Sequence, residues 1–188
     1  FERQQRYKPV QIIPRNLKQE EYLELLNDSS KLIVFSTGPA GTGKTWCSCG
    51  LAAQMLRDKT HQKIIITRPI VEAGERLGFL PGSFEEKVHP FMLPLYDALD
   101  DLVGKENAQR KYIDKGVEVA PIAYLRGRTL KNAVCILDEA QNTTPEQMKM
   151  FLTRIGFGSK VVITGDATQV DIPDGRSGLA GLQNLLGE

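Results

Sequence analysis

Short apolar runs, separated by longer mixed segments, set the rhythm of this chain. Residues 31–35, 63–69, 117–120, 133–139 and 160–166 are rich in β-branched and aliphatic side chains and show little polar alternation. Runs of this kind predict strands buried on both faces, as in a parallel sheet. Pro69 stops the second run, because proline brings no amide to a ladder. Between the runs lie segments of helical character at residues 17–26, 46–58, 84–102, 107–115, 145–155 and 179–186. Asn16 is suited to cap the first helix, with Leu17, Tyr22, Leu25 and Leu26 expected to share its buried face. Thr144 before Pro145 marks another helix start, and Gly116 closes the segment ahead of it. Pro90 and Pro94 predict a bend or break within 84–102. Residues 70–83 carry Gly74, Gly78, Pro81 and Gly82 and read as a long binding segment or lid. Strands alternating with helices predict an α/β fold, a parallel sheet with helices on both faces.

Composition narrows the class without choosing the function. The 188 residues suit a single domain, 1–188, in which residues 1–14 are expected to form an extended lead-in. Hydrophobic residues at 41% and charged residues at 25% are ordinary for a globular protein. No apolar run approaches the roughly 20 residues that span a bilayer, and no signal peptide is visible, so no membrane role is expected. A net charge of +1 excludes an all-over basic surface and confines any nucleic-acid site to a local patch. Cys47, Cys49 and Cys135 are too few for a disulfide framework or a four-ligand zinc site, and are expected as buried thiols in the reducing cytoplasm. His89 is expected to be partly buried rather than metal-bound. Phe1 in place of Met suggests that the natural chain begins further upstream.

The chemistry concentrates at Gly38-Pro39-Ala40-Gly41-Thr42-Gly43-Lys44-Thr45, which fits the phosphate-binding P-loop between a strand and a helix. Its glycines let backbone amides line an anion nest, and the following helix adds its positive end. Lys44 is placed to reach the β- and γ-phosphates and the Thr45 hydroxyl to hold Mg²⁺. Apolar residues 134–137 followed by Asp138 form a Walker B pattern, with Asp138 completing the metal site. Glu139 is positioned to deprotonate an attacking water, which separates hydrolysing ATPases from kinase-like P-loop enzymes. Gln169, three residues past Asp166, either senses the γ-phosphate or is structural; the residues alone leave both open. Arg68, Arg126, Arg128 and Arg176 are candidates for transition-state charge or for nucleic-acid phosphates.

These motifs carry a family resemblance from about Pro14 to Leu179. Besides the P-loop, it rests on Ile66-Thr-Arg-Pro-Ile-Val-Glu-Ala-Gly-Glu-Arg-Leu-Gly-Phe-Leu-Pro-Gly82, Pro94-Leu-Tyr-Asp-Ala-Leu99, Val119-Ala-Pro-Ile-Ala-Tyr-Leu-Arg-Gly-Arg-Thr-Leu130 and the stretch Ile136 to Gly156. The chain resembles the PhoH-like ATPases. The resemblance implies a RecA-like core, similar to the first motor domain of superfamily 1 helicases, with the 160–165 strand between the P-loop and Walker B strands. It implies a link to phosphate starvation and action on RNA; some relatives carry a PIN ribonuclease domain, and no PIN-like segment is visible here. Residues 14–19 resemble the helicase Q-motif, making Gln19 an adenine contact. Residues 165–169 resemble motif III, favouring the γ-phosphate role for Gln169. Trp46, which with Cys47, Ser48 and Cys49 replaces the usual smaller Tyr-Leu-Ala type sequence, completes the expected nucleotide-binding set. Relatives continue past Glu188 through another strand and a basic segment.

The expectation is therefore a cytoplasmic, Mg²⁺-dependent ATPase acting on single-stranded RNA, with Lys44, Glu139 and Gln169 in catalysis. Arg68, Arg76, Arg126 and Arg128 are its basic loop residues. Since nothing obvious in the sequence covers the γ-phosphate with positive charge, a homo-oligomer such as a hexameric ring is expected, with Arg126 or Arg128 acting in trans. The alternative is a nucleotide-gated regulatory or chaperone-like module with a protein partner.

Overall fold

The computed structural model describes residues 12–71, 82–103, 116–173 and 175–186. Five strands, β1 (Ile33–Thr37), β2 (Lys63–Arg68), β3 (Val117–Pro121), β4 (Ala133–Leu137) and β5 (Lys160–Gly165), form one sheet in the order β1-β5-β4-β2-β3. Every pairing is parallel. The last strand thus lies between the P-loop strand and β4, as the resemblance implied. The helices are α1 (Leu17–Asn27), α2 (Lys44–Arg57), α3 (Phe84–Val103), α4 (Pro145–Leu152) and α5 (Gly178–Leu186), with 3-10 turns at Ile122–Leu125 and Ala140–Asn142.

Alternation along the strands divides the core in two. Val34, Ile64, Ile66, Val134, Ile136 and Val162 face α1, α2 and α3. Ile65, Cys135, Leu137, Val161 and Ile163 face the opposite way, toward Met148 and Phe151 of α4 and Leu179 of α5. Both faces are covered, which is why the runs lack polar alternation. The parallel registers Thr37↔Gly165, Leu137↔Ile163 and Thr67↔Leu137 bring the C-terminal strand ends to one rim.

The structure corrects several expectations. The first run is an edge strand, not a fully buried one: β1 pairs with β5 on one side, leaving Leu32 and Ile33 exposed. In α1 the buried face is Tyr22, Leu23 and Leu26; Leu17 is 76% exposed and Leu25 44%. Pro90 and Pro94 do not break α3, which runs unbroken with Val88, Met92, Leu95 and Leu99 buried along one face. That packing offsets the two missing amide donors. His89 lies off this face and is exposed, its ring 5.8 Å from Tyr96. Helix α4 stops at Leu152, because Leu130 and Ile155 pair in an isolated parallel bridge just beyond it. The helix expected over 107–115 and most of the 70–83 connector lie outside the described residues.

Other expectations hold. Asn16 caps α1 by accepting from the Gln19 amide. The three cysteines are free and buried, and burial pushes the Cys135 thiol up to about 12. One polar clamp was not foreseen. The buried Lys160 ammonium donates to the Asp28 and Lys31 carbonyls at 2.8 Å each, tying the end of α1 to β5. Helix α4 starts with a capping box: Thr144 Oγ1 accepts from the Gln147 amide, and the Gln147 side chain accepts from the Thr144 amide. Thr144→Ala is expected to remove about 1 kcal/mol of stability, read as a lower urea midpoint with an unchanged slope.

Candidate nucleotide-binding site

The P-loop leaves β1 under backbone control, the Gly38 amide donating to the Gly165 carbonyl at 3.1 Å. Gly41 and Gly43 take left-handed φ values of 76° and 81°. At Gly43 the left-handed conformation favours glycine, and a side chain there would also press on Gln19 Nε2 at 3.1 Å. The first-turn amides of α2 have no intrahelical acceptors and face the loop's interior with the helix's positive end. The Lys44 ammonium curls into the loop, donating to the Gly38 and Pro39 carbonyls at 2.7 Å each.

Asp138 sits one residue beyond β4 and is buried, with 2% residual exposure. Its Oδ1 accepts from Thr45 Oγ1 at 2.7 Å and from Thr164 Oγ1 at 2.6 Å. Its Oδ2 accepts from Arg68 Nε at 3.1 Å and Nη2 at 2.6 Å. Arg68, one of the four candidate arginines, therefore supplies positive charge within the cleft, where it is bound to Asp138. Its Nη1 also donates to the Phe91 carbonyl of α3 at 3.3 Å.

Glu139 adopts a left-handed backbone conformation with φ 52°. Gln141 Nε2 donates to Glu139 Oε2, and Gln141 Oε1 accepts from the Asp166 amide at 3.0 Å. Gln141 is buried, so it forms a fixed bridge between the segments that follow β4 and β5. Asp166 Oδ1 accepts from the Thr168 hydroxyl and amide. These bonds, joined by the Ala40 amide and the Lys44 charge, hold its carboxyl below the usual aspartate range.

Around these groups is a cleft of about 330 Å³, lined by 40–46, Arg68, Asp138, Glu139, Gly165, Asp166 and Gln169. Pro94 and Ala98 of α3 form an apolar wall beside Trp46. Lys44, Thr45, Asp138, Glu139 and Gln169 thus converge from three separate parts of the sequence. Gln19 braces the loop, its Nε2 donating to the Thr42 carbonyl at 2.9 Å and its Oε1 accepting from the Arg15 amide at 2.7 Å. It lines an adjoining hollow on the other side of the P-loop.

The other arginines fall elsewhere. Arg126 and Arg128, on either side of Gly127, are disposed differently. Arg128 folds back onto Glu118 of β3, at 2.5 and 2.8 Å, while Arg126 is exposed. Neither these two nor Arg176 lines the cleft. Sequence reasoning missed Gln141, Thr164 and the α3 wall. Gln141 stands inside the stretch that carried the resemblance, but its spacing marks no role.

The profile of the family described as PhoH-like protein matches residues 11–188. The chain belongs to the PhoH-like family. It is 54% identical over 176 residues to a PhoH-like protein of Mycobacterium tuberculosis (strain ATCC 25618 / H37Rv), covering 93% of this chain and 49% of that one. It is 53% identical over 174 residues to a PhoH-like protein of Bacillus subtilis (strain 168), covering 92% and 54%. It is 51% identical over 167 residues to Protein PhoH of Escherichia coli (strain K12), covering 87% and 46%. The PhoH-like chain thus spans about half the length of the curated relatives it matches. Among solved structures, the UvsW helicase from bacteriophage T4 superposes with a TM-score of 0.53 at 14% identity, covering 85% of this chain and 55% of that one. The shared fold is the RecA-like α/β fold of P-loop NTPases. No described helix is long and apolar enough to cross a membrane.

The Glu118–Arg128 pair gives a pH test. Hydrogen bonding to Arg128 depresses the Glu118 carboxyl below the usual glutamate range. Its contribution to stability is therefore complete above the unfolded glutamate pKa of about 4.3 and is lost as pH falls through the depressed folded value. Because the pair is partly exposed, Arg128→Ala should cost no more than about 1 kcal/mol at pH 7. The gap between its urea midpoint and the wild-type one should narrow progressively below pH ~4.

Proposed function

We propose that this domain binds ATP with Mg²⁺, hydrolyses it, and couples turnover to single-stranded RNA. The observation that carries the reading is the 2.7 Å hydrogen bond from Thr45 to Asp138, which closes the P-loop onto the β4 tip beside Glu139. The donor set suits Mg²⁺. Thr45 and Asp138 offer hard oxygens, and among the described residues no cluster of three His, Cys, Asp or Glu exists to hold an ion by itself. An ion that keeps its waters and shares phosphate oxygens fits such a site. When bound, Mg²⁺ neutralises charge on the phosphates.

The protein's own groups then divide the work. The P-loop amides and Lys44 hold the phosphates, the Lys44 ammonium exchanging the Gly38 and Pro39 carbonyls for phosphate oxygens. Glu139, oriented by Gln141, accepts a proton from water as its oxygen bonds to the γ-phosphorus and the bond to the bridging oxygen breaks. Gln169 borders the same cleft and is suited to contact the γ-phosphate. Trp46, with Pro94 and Ala98, supplies an apolar side to the site. The RNA reading rests on the family and on exposed Arg126 beyond the C-terminal end of β3. A ring with Arg126 reaching a neighbour's cleft is compatible with that exposure, although Arg68 reduces the need for it.

Trp46 is the sole tryptophan, so its fluorescence reports binding independently of turnover. Lys44→Ala should abolish both the ATP-induced change and phosphate release. Glu139→Gln should keep the fluorescence change and lower turnover by about 10²–10⁴. Equal turnover in wild type and Glu139→Gln would refute hydrolysis at this site. RNA should stimulate turnover at low salt and lose its effect steeply as salt rises; no stimulation and no retained oligonucleotide would favour a protein partner.

A further inference from the structure

Asp138 has no acceptor capacity to spare. A carboxylate offers about four lone-pair sites, and here two threonine hydroxyls and two guanidinium N–H groups address them. For Asp138 to serve a metal ion or its water shell, at least one donor must withdraw. The threonines have short side chains on regular elements: Thr45 in the first turn of α2, Thr164 within β5. Arg68 is the donor with the reach to move, giving up a long 3.3 Å bond to the Phe91 carbonyl as it does so. Its side chain is long and ends β2, and a second carboxylate, Glu139, lies 3.7 Å from its Nη2. A guanidinium and a divalent cation also repel one another on a shared carboxylate.

We propose that Arg68 is a built-in counter-cation that occupies Asp138 until nucleotide arrives, so that metal loading of the site depends on nucleotide. Phosphate oxygens are strong bidentate partners for a guanidinium. A polyphosphate in the P-loop would draw Arg68 off Asp138 and bring metal-binding oxygens of its own. Without phosphate, Arg68 keeps the buried carboxylate neutralised and competes with any free divalent ion. The P-loop would then fill in one coupled step, with no premature loading by metal alone. This inference rests on the Mg²⁺–ATP reading of the cleft.

The test is Mn²⁺ binding to the nucleotide-free protein, followed by electron paramagnetic resonance, in wild type, Arg68→Gln and Arg68→Lys. Arg68→Gln should bind Mn²⁺ about 10- to 100-fold more tightly than wild type, and Arg68→Lys should fall between them. Adding Asp138→Asn to Arg68→Gln should erase the gain. With ATP present, wild type should reach tight Mn²⁺ binding and the advantage of Arg68→Gln should shrink. Thermal melts check that each variant is folded, and Arg68→Lys, which keeps the charge, carries the test if Arg68→Gln does not fold. Unchanged Mn²⁺ affinity in folded Arg68 variants, or a gain that survives Asp138→Asn, overturns the proposal. A wild-type protein whose Trp46 fluorescence ignores ATP and Mg²⁺ would instead sink the nucleotide reading, so the two failures are separable.

Discussion

A buried carboxylate must be satisfied or neutralised, and Asp138 organises its surroundings by that requirement. It stands at the tip of β4, and its partners come from the first turn of α2, the end of β2 and the C-terminal end of β5. Leaving such a charge unpaired would cost several kcal/mol. The same four bonds therefore hold the P-loop helix, the central strands and the cleft in one geometry. Stability and chemistry share these residues, so change at any of them bears on both.

The rim arrangement follows from the parallel sheet. With every strand running the same way, every strand's exit lies on the same side, and the groups placed just after each exit meet. Gln141 strengthens this meeting by joining Glu139 to the Asp166 amide. Gly165 is packed closely there, since a Cβ would stand 2.9 Å from Gln141 Oε1 and 2.7 Å from Leu179. The bridge is thus backed by the hydrophobic face of α5. Movement at the end of β5 would be felt at Glu139 through one side chain.

The positive groups are distributed unevenly. Lys44 and Arg68 belong to the cleft, Arg128 is committed to Glu118, and Lys160 is committed to the carbonyls at the end of α1. A basic residue in the sequence is therefore a poor guide to a phosphate site. What separates the two groups is which acceptors the fold brings near, not charge.

The amino-acid sequence by itself determined the strands, their parallel arrangement and the P-loop with its Walker B partner. Those features are written in local terms: apolar runs of strand length, glycines at tight turns, and acids directly after a run. It also marked the caps at Asn16 and Thr144, because capping acts within three residues. What only the tertiary structure decided involves partners distant in the chain. Arg68 and Asp138 are 70 residues apart, and their pairing exists because β2 and β4 are neighbours. The exposed edge of β1, the choice of Leu23 over Leu25 in the core and the unbroken course of α3 through two prolines are of the same kind. Each depends on what packs alongside, and local propensity, worth less per residue than burial, gives way to it.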